Sequence, residues 1–179
     1  RFGAFPAKDF SCPNCGATDR ERHLYLYMKE LGLLQKLAAK KMLVIAPEAQ
    51  LVGSLRKFGV DLTLGDAYPE SFGSALGLVR RIDLTDTRLP ENEFDIVMAN
   101  HVLEHIPDYK QAISEIYRIL VSGGIAILQT PFSSILYNNF EDANINTLDL
   151  RRKYYGQQDH VRVFGLKLFE DIKNLGFSL

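Results

Sequence analysis

Four short apolar runs, each closed by a breaker or turn residue and spaced by helix-length segments, constrain this chain more than any other feature. They are Met42-Leu43-Val44-Ile45-Ala46 before Pro47, Val60 to Leu64 before Gly65-Asp66, Phe94-Asp95-Ile96-Val97-Met98-Ala99, and Ile125 to Gln129 before Pro131. A run this short and apolar suits a strand buried on both faces. Val79 to Ile82, ending at Asp83, is a weaker fifth strand. Helical spacing fills the intervals. Glu48 to Phe58 carries Leu51, Val52 and Leu55 on one side and stops at Gly59. Tyr109 to Val121 carries Ala112, Ile113, Ile116, Ile119 and Leu120, with Asp108 as N-cap and Gly123 as C-terminal stop. Leu166 to Asn174 is a last helix, ended by Gly176, and residues 71–78 read as a short one. Ahead of the first strand, Leu24, Tyr27, Met28 and Leu31 recur at helical spacing, and Leu33, Leu34 and Leu37 continue it past Gly32.

Strands alternating with helices predict βαβ units and a parallel sheet, and right-handed crossovers make it a doubly wound α/β layer of Rossmann-like type. Ligands in such sheets sit beyond the C-terminal strand ends. That singles out Pro47-Glu48, Asp66, Asp83, Asn100-His101 and the segment from Pro131 onward. Asp66 follows Glu48, and Asp83 follows Asp66, each at close to the ~20-residue interval at which a nucleotide-binding fold places a ribose-binding acid. A strand-end aspartate that only caps its own loop explains the same spacing.

The remaining numbers exclude several classes. With 179 residues the chain fits one domain and a small appendage. Lys plus Arg is 21 against 22 for Asp plus Glu, so net charge gives no reason to expect nucleic acid. The longest uncharged stretch, Ile119 to Phe140, is broken by Gly123-Gly124, Gln129, Pro131 and Asn138-Asn139, and cannot span a membrane. Without a basic-then-apolar leader, a cytoplasmic protein is expected.

Three segments carry a resemblance. Leu84-Thr85-Asp86-Thr87-Arg88-Leu89-Pro90-Glu91-Asn92-Glu93-Phe94-Asp95-Ile96-Val97, then Asn100-His101-Val102-Leu103-Glu104-His105-Ile106-Pro107-Asp108, then Glu115-Ile116-Tyr117-Arg118-Ile119-Leu120-Val121-Ser122-Gly123-Gly124, stand in this order and spacing. They resemble the D-L-x-x-L-P, L-E-H-I-x-D and E-x-x-R-V-L-K-P-G-G stretches of class I S-adenosylmethionine-dependent methyltransferases of the methyltransferase-11-like group. The resemblance covers residues 42–129. It implies that Asp66 bonds the ribose hydroxyls, that Asp83 and the Leu84 backbone read the adenine, and that Asn100 and His101 line the cofactor. The turn at Ala46, Pro47 and Glu48 would hold the methionine end.

That turn departs from the family pattern. Where the group has E-x-G-x-G-x-G, this chain has Val44-Ile45-Ala46-Pro47-Glu48-Ala49-Gln50, with no glycine between Met42 and Val52. Glycine normally lets the backbone approach a ligand closely, and Ala46 is small enough to do so. Glu48 either pairs with the cofactor's amino group or is a first-turn residue favoured by the helix dipole.

Residues 1–40 read as an N-terminal part with its own signature, Cys12-Pro13-Asn14-Cys15-Gly16, and the resemblance implies a methyltransferase domain over residues 41–179. Two thiolates at this spacing can share a tetrahedral zinc, which needs four ligands. The segment, with Arg20, Arg22 and Leu24, resembles that of methyltransferases in which a second C-x-x-C lies upstream. A longer natural chain with a zinc ribbon is the expectation from that resemblance; two free thiols is the plain alternative. The chain begins with Arg1 and stops at Phe177-Ser178-Leu179, which reads as the start of a sixth strand, so the last strands of the family's sheet are expected beyond it.

Residues 132–160 make a long connection, expected to cover the methyl acceptor. His160 is the leading general base, with His105 beside the acceptor pocket, and Arg162 is placed to orient an anionic substrate. An ordinary loop pair explains Asp159-His160 as well. His101-x-x-Glu104-His105 has the spacing of one zinc-protease motif read backwards, but it opens from a strand and runs into Pro107. A catalytic metal there is the lesser alternative. Arg151-Arg152-Lys153 reads as solvated surface or a phosphate contact.

The expected activity is methyl transfer from S-adenosylmethionine to a small-molecule or glycan-related acceptor. The alternative is a degenerate methyltransferase fold used as a binding module. An NAD-dependent dehydrogenase is disfavoured because G-x-G-x-x-G is absent.

Overall fold

The computed structural model describes residues 11–72 and 74–179. Five strands form one parallel sheet: β1 (Lys41–Ile45), β2 (Asp61–Asp66), β3 (Val79–Arg81), β4 (Phe94–Ala99) and β5 (Leu120–Ile127), in the order β3-β2-β1-β4-β5. Five helices accompany them: α1 (Asp19–Glu30), α2 (Ala49–Leu55), α3 (Tyr109–Ile119), α4 (Leu148–Tyr155) and α5 (Lys167–Asn174).

The strand pattern explains why both faces are covered. Met42 and Val44 of β1, with Ile96 and Met98 of β4, pack against Leu24 and Met28 of α1 and Leu51, Val52 and Leu55 of α2. Leu43 and Ile45, with Val97 and Ala99, face Ala112, Ile113, Ile116 and Ile119 of α3 and Leu168 and Ile172 of α5. Alternate residues of a strand point to opposite faces, so an unbroken apolar run feeds two cores. The order reverses between β1 and β4, whose C-terminal ends bound the crevice of the fold.

α1 belongs to this core. Thr18 and Glu21 cap it reciprocally, and the buried Glu21 accepts the Leu51 amide at 3.1 Å, tying α1 to the first turn of α2. The predicted continuation through Leu33 and Leu37 is not helical throughout. Gly32 adopts φ of 65°, and only a 3₁₀ turn, Leu34–Lys36, follows.

Other boundaries differ for local reasons. The helix expected over residues 71–78 is two 3₁₀ turns, Pro69–Ser71 and Ser74–Leu76. α3 stops at Ile119 and β5 begins at the next residue, so Gly123 lies inside the strand rather than at a helix stop. Pairing with β4 shifts register there, from Phe94 with Leu120 to Ile96 with Ile125. A side chain on Gly124 would stand 2.9 Å from the Val121 carbonyl and 3.1 Å from that of Asp95, which only glycine avoids. The long connection also contains a helix, α4, that its spacing does not predict. Its start is marked by Thr147, whose hydroxyl accepts the Leu150 amide, and its end by Gly156 in the left-handed region.

Candidate active site at the strand ends

Two backbone turns shape the crevice. Ala46 follows β1 with φ of 51°, and His101 follows β4 with φ of 52°. Left-handed conformation costs a residue with a Cβ about 1–2 kcal/mol, so the fold must hold it in place. The Ala46 amide donates to the Gly65 carbonyl at 3.0 Å, and the His101 amide to the Gln129 carbonyl at 2.7 Å. The missing glycines thus leave the turn intact: alanine occupies the position that glycine would favour.

Between these turns lies a cavity of about 210 Å³, lined by Ala46 and Glu48 after β1, by Asn100, His101, Glu104 and His105 after β4, by Gln157, Asp159 and His160, and by Arg20 of α1. Six of the sequence-predicted site residues meet here: Ala46, Glu48, Asn100, His101, His105 and His160. Asp66 and Asp83 lie outside it, at the same edge of the sheet, where β2 and β3 end. Asp66 accepts the Tyr68 amide at 2.7 Å, and Asp83 accepts the Thr85 amide and hydroxyl at 2.8 and 2.7 Å. Each therefore caps its own loop with one oxygen. Pro47 and the Leu84 side chain are buried, the latter in the α3 core, so Leu84 offers only its backbone to a ligand.

Glu48 stands at the N-terminus of α2, as the helix-dipole reading expects, but it has a partner that the sequence does not show. It is the N-cap residue of α2 without capping it, and its carboxylate pairs with Arg20 at 2.6 Å. Burial raises its pKa, and Arg20 works against that rise.

Buried polar atoms mark the floor. Asn100 Oδ1, His101 Nε2 and Glu104 Oε1 are buried without a hydrogen-bond partner. Such atoms are rare in a folded protein and cost about 1–3 kcal/mol each unless something pairs with them. The other Glu104 oxygen accepts the Thr130 hydroxyl at 2.8 Å, and His101 Nδ1 stands 3.4 Å from Oε1. Burial alone would raise the Glu104 pKa, but the His101 ring and the Thr130 hydroxyl bring it below the ordinary carboxylate value.

The two other histidines of this crevice meet edge to face, with ring centroids 4.7 Å apart. His160 is buried, with Nδ1 3.1 Å from the Tyr155 carbonyl, and His105 Nδ1 lies 3.3 Å from Asp159. Burial, then the neighbouring His105, lowers the His160 pKa.

Arg162 does not reach a substrate. It is 2% exposed and stacked over the Tyr109 ring, and it bonds Glu141 at 2.7 Å and the carbonyls of Leu103, Ile106 and Pro107. Those carbonyls belong to the turn carrying Glu104 and His105, so Arg162 positions the site from behind. The five donors of a guanidinium suit this task, and the sequence shows only their charge.

The methyltransferase domain family matches residues 46–128. A probable S-adenosylmethionine-dependent methyltransferase of Mycolicibacterium smegmatis is 32% identical over 73 residues, 41% of this chain and 28% of that protein, so the present chain spans only part of that relative. An S-adenosylmethionine-dependent methyltransferase structure from Archaeoglobus fulgidus superposes over 88% of this chain and 69% of its own, with a TM-score of 0.65 and 16% identity. The Burkholderia thailandensis 1,6-didemethyltoxoflavin-N1-methyltransferase, solved with its substrate and S-adenosylhomocysteine, covers 89% of this chain and 68% of its own, at a TM-score of 0.60 and 16% identity. These likenesses confirm the doubly wound fold predicted for the domain.

Cys12 and Cys15 are free thiols on a tight turn, closed by the Gly16 amide on the Cys12 carbonyl at 2.8 Å. Backbone amides of Cys15 and Asn14 lower the Cys12 pKa. Among the described residues no third ligand joins them, and His23 is exposed on α1. No helix of the described residues is long and apolar enough to cross a membrane.

Proposed function

We propose that the chain transfers a methyl group from S-adenosylmethionine to a small-molecule or glycan-related acceptor, as a cytoplasmic enzyme. The observation that carries this is the pair of unpartnered buried atoms, Asn100 Oδ1 and His101 Nε2, at the switch point of a methyltransferase domain. Asn100 Oδ1 is an acceptor suited to an ammonium group, and the compact Ala46 turn leaves room for a ligand's approach. Asp66 and Asp83 stand along the same sheet edge, each with a second carboxylate oxygen to offer a ribose hydroxyl and an adenine amine. The residues present therefore fit the cofactor, which supplies an electrophilic methyl sulfonium when bound.

The chain's own residues do the rest by placement. Arg20 and Glu48 close one side of the cavity, and His105 and His160 form the acceptor wall. Aligning the acceptor lone pair behind the methyl carbon and keeping water out supplies much of the rate in a displacement of this kind. A zinc ribbon at Cys12 and Cys15, completed by cysteines outside this sequence, is a separate proposal supported by the turn geometry alone.

Calorimetric titration with S-adenosylmethionine and S-adenosylhomocysteine tests the reading. Micromolar affinity is expected. A folded chain that binds neither would point to a binding module that has kept the fold and lost the cofactor.

A further inference from the structure

Glu104, His105 and His160 each bring one ligand atom within 4.8 Å of the others, and two of the three residues are buried. Three features distinguish this group from a chance cluster. Glu104 is 1% exposed, and its Oε1, with only the long 3.4 Å approach of His101 Nδ1, makes no close hydrogen bond, so a buried carboxylate oxygen keeps a lone pair to offer. His160 Nδ1 faces a backbone carbonyl, which can only accept, so the proton sits on Nδ1 and Nε2 carries the lone pair. His105 Nδ1 lies 3.3 Å from the Asp159 carboxylate, which favours the same tautomer. An imidazole held at Nδ1 by a carbonyl or carboxylate, with Nε2 left free, is how proteins orient metal-binding histidines.

We infer that Glu104, His105 and His160 bind one divalent transition-metal ion of the zinc, cobalt or manganese type, with Asp159 and the Tyr155 carbonyl as the outer hydrogen-bond partners. Two imidazoles and one carboxylate form a borderline donor set that suits these ions better than magnesium or calcium. Three protein ligands leave a position open, as in catalytic sites. Tetrahedral bonds of about 2.0–2.2 Å hold ligand atoms roughly 3.4 Å apart, so the side chains close by about an ångström on binding. His105, with its side chain 31% exposed, has the freedom to make that adjustment.

Glu104, His105 and His160 line the same cavity as Asn100 and His101, so an ion held by them would present its open position there. Resting on the methyl-transfer reading, such an ion would acidify a hydroxyl acceptor held beside it, and the proton would leave to solvent past the exposed Asp159. The acceptor's oxygen then forms the C–O bond as the S–CH₃ bond breaks, and the electron pair stays on sulfur. The acceptor class follows as a hydroxyl compound.

The test uses the chain with Cys12→Ser and Cys15→Ser, which removes the thiolates as competing ligands. Titration with Co²⁺, read by visible absorption, should show one ion bound, displaced by Zn²⁺. Glu104→Gln and His160→Gln should each weaken binding by more than about 100-fold, and Asp159→Asn by roughly 10–100-fold, the range for an outer partner. His105→Asn, at a half-exposed position, provides a variant that does not perturb the core. A folded chain that takes up no Co²⁺, or uptake unchanged in Glu104→Gln and His105→Asn, overturns the inference. S-adenosylmethionine titration of the metal-free chain separates the two claims. Cofactor binding without metal uptake leaves methyl transfer standing and removes the metal, whereas metal uptake without cofactor binding does the reverse.

Discussion

Arg162 and Leu103 lie far apart in the chain, yet the guanidinium of the first donates to the carbonyl of the second at 3.1 Å. The same side chain bonds the Ile106 and Pro107 carbonyls, and the adjacent Val161 amide donates to the Glu104 carbonyl at 3.0 Å. The segment that delivers His160 to the crevice therefore also fixes the turn that delivers Glu104 and His105. Cavity-lining residues from two distant parts of the chain are set by one buried cation.

Arg162→Met should destabilise the fold by about 3 kcal/mol or more, because it leaves three carbonyls without a donor and Glu141 without its partner. Arg162→Lys should recover only part of this, since an ammonium cannot span the same acceptors. Denaturant unfolding at fixed pH measures both. Wild-type stability in the methionine variant would show that the turn holds itself.

The Ala46 turn permits a different kind of check. Releasing a left-handed alanine gains about 1–2 kcal/mol, and the extra chain entropy of glycine costs about 0.5–1 kcal/mol. Ala46→Gly should therefore stabilise by at most about 1.5 kcal/mol and keep cofactor affinity. Ala46→Val should lose stability and affinity together, because a branched side chain both strains the turn and fills the approach. Thermal unfolding with cofactor titration separates the outcomes.

Asp66→Ala should weaken S-adenosylmethionine binding by about 1–3 kcal/mol, the loss of charge-assisted hydrogen bonds to hydroxyls. Calorimetry reads this directly. Unchanged affinity would leave Asp66 as only the cap of its own loop, the role its bond to the Tyr68 amide already provides.

Acid stability should report on Glu115. Bonds from Arg118 at 2.7 and 2.8 Å, with the Thr87 amide and hydroxyl, hold its pKa down at about 2 against an ordinary 4.5. A carboxylate whose folded pKa is depressed stabilises the protein above the unfolded value and loses that contribution as pH falls through the folded one. The wild type should therefore lose stability between pH 4.5 and 2, and Glu115→Gln should lose less across that window while being weaker at neutral pH. Denaturant midpoints of the two chains at about pH 5 and about pH 3 decide it. Parallel losses would assign the acid sensitivity to other carboxylates.

Legibility in the sequence followed the range of the interactions. β1 and β4 were readable because burial on both faces demands continuous apolar residues, and α3 because one face of it is apolar at helical spacing. The early start of β5 was not, since Gly123-Gly124 signals a stop locally and becomes a register shift only when β4 lies alongside. α4 was missed because its apolar content is sparse and it packs mainly through Tyr155.

The same distinction runs through the site. Local chemistry shows which residues end the strands, and so singles out Glu48, Asn100 and His101 as residues that border the crevice. A strand end is a property of a few consecutive residues and of the fold class they imply. Tertiary structure alone decided what those residues touch. Glu48 turned to Arg20, Arg162 went into the core, and His160 came to face His105 beside a buried Glu104. Charge and residue type are written in the chain, but the partner that satisfies a buried charge is set by packing between distant segments, which no local spacing encodes.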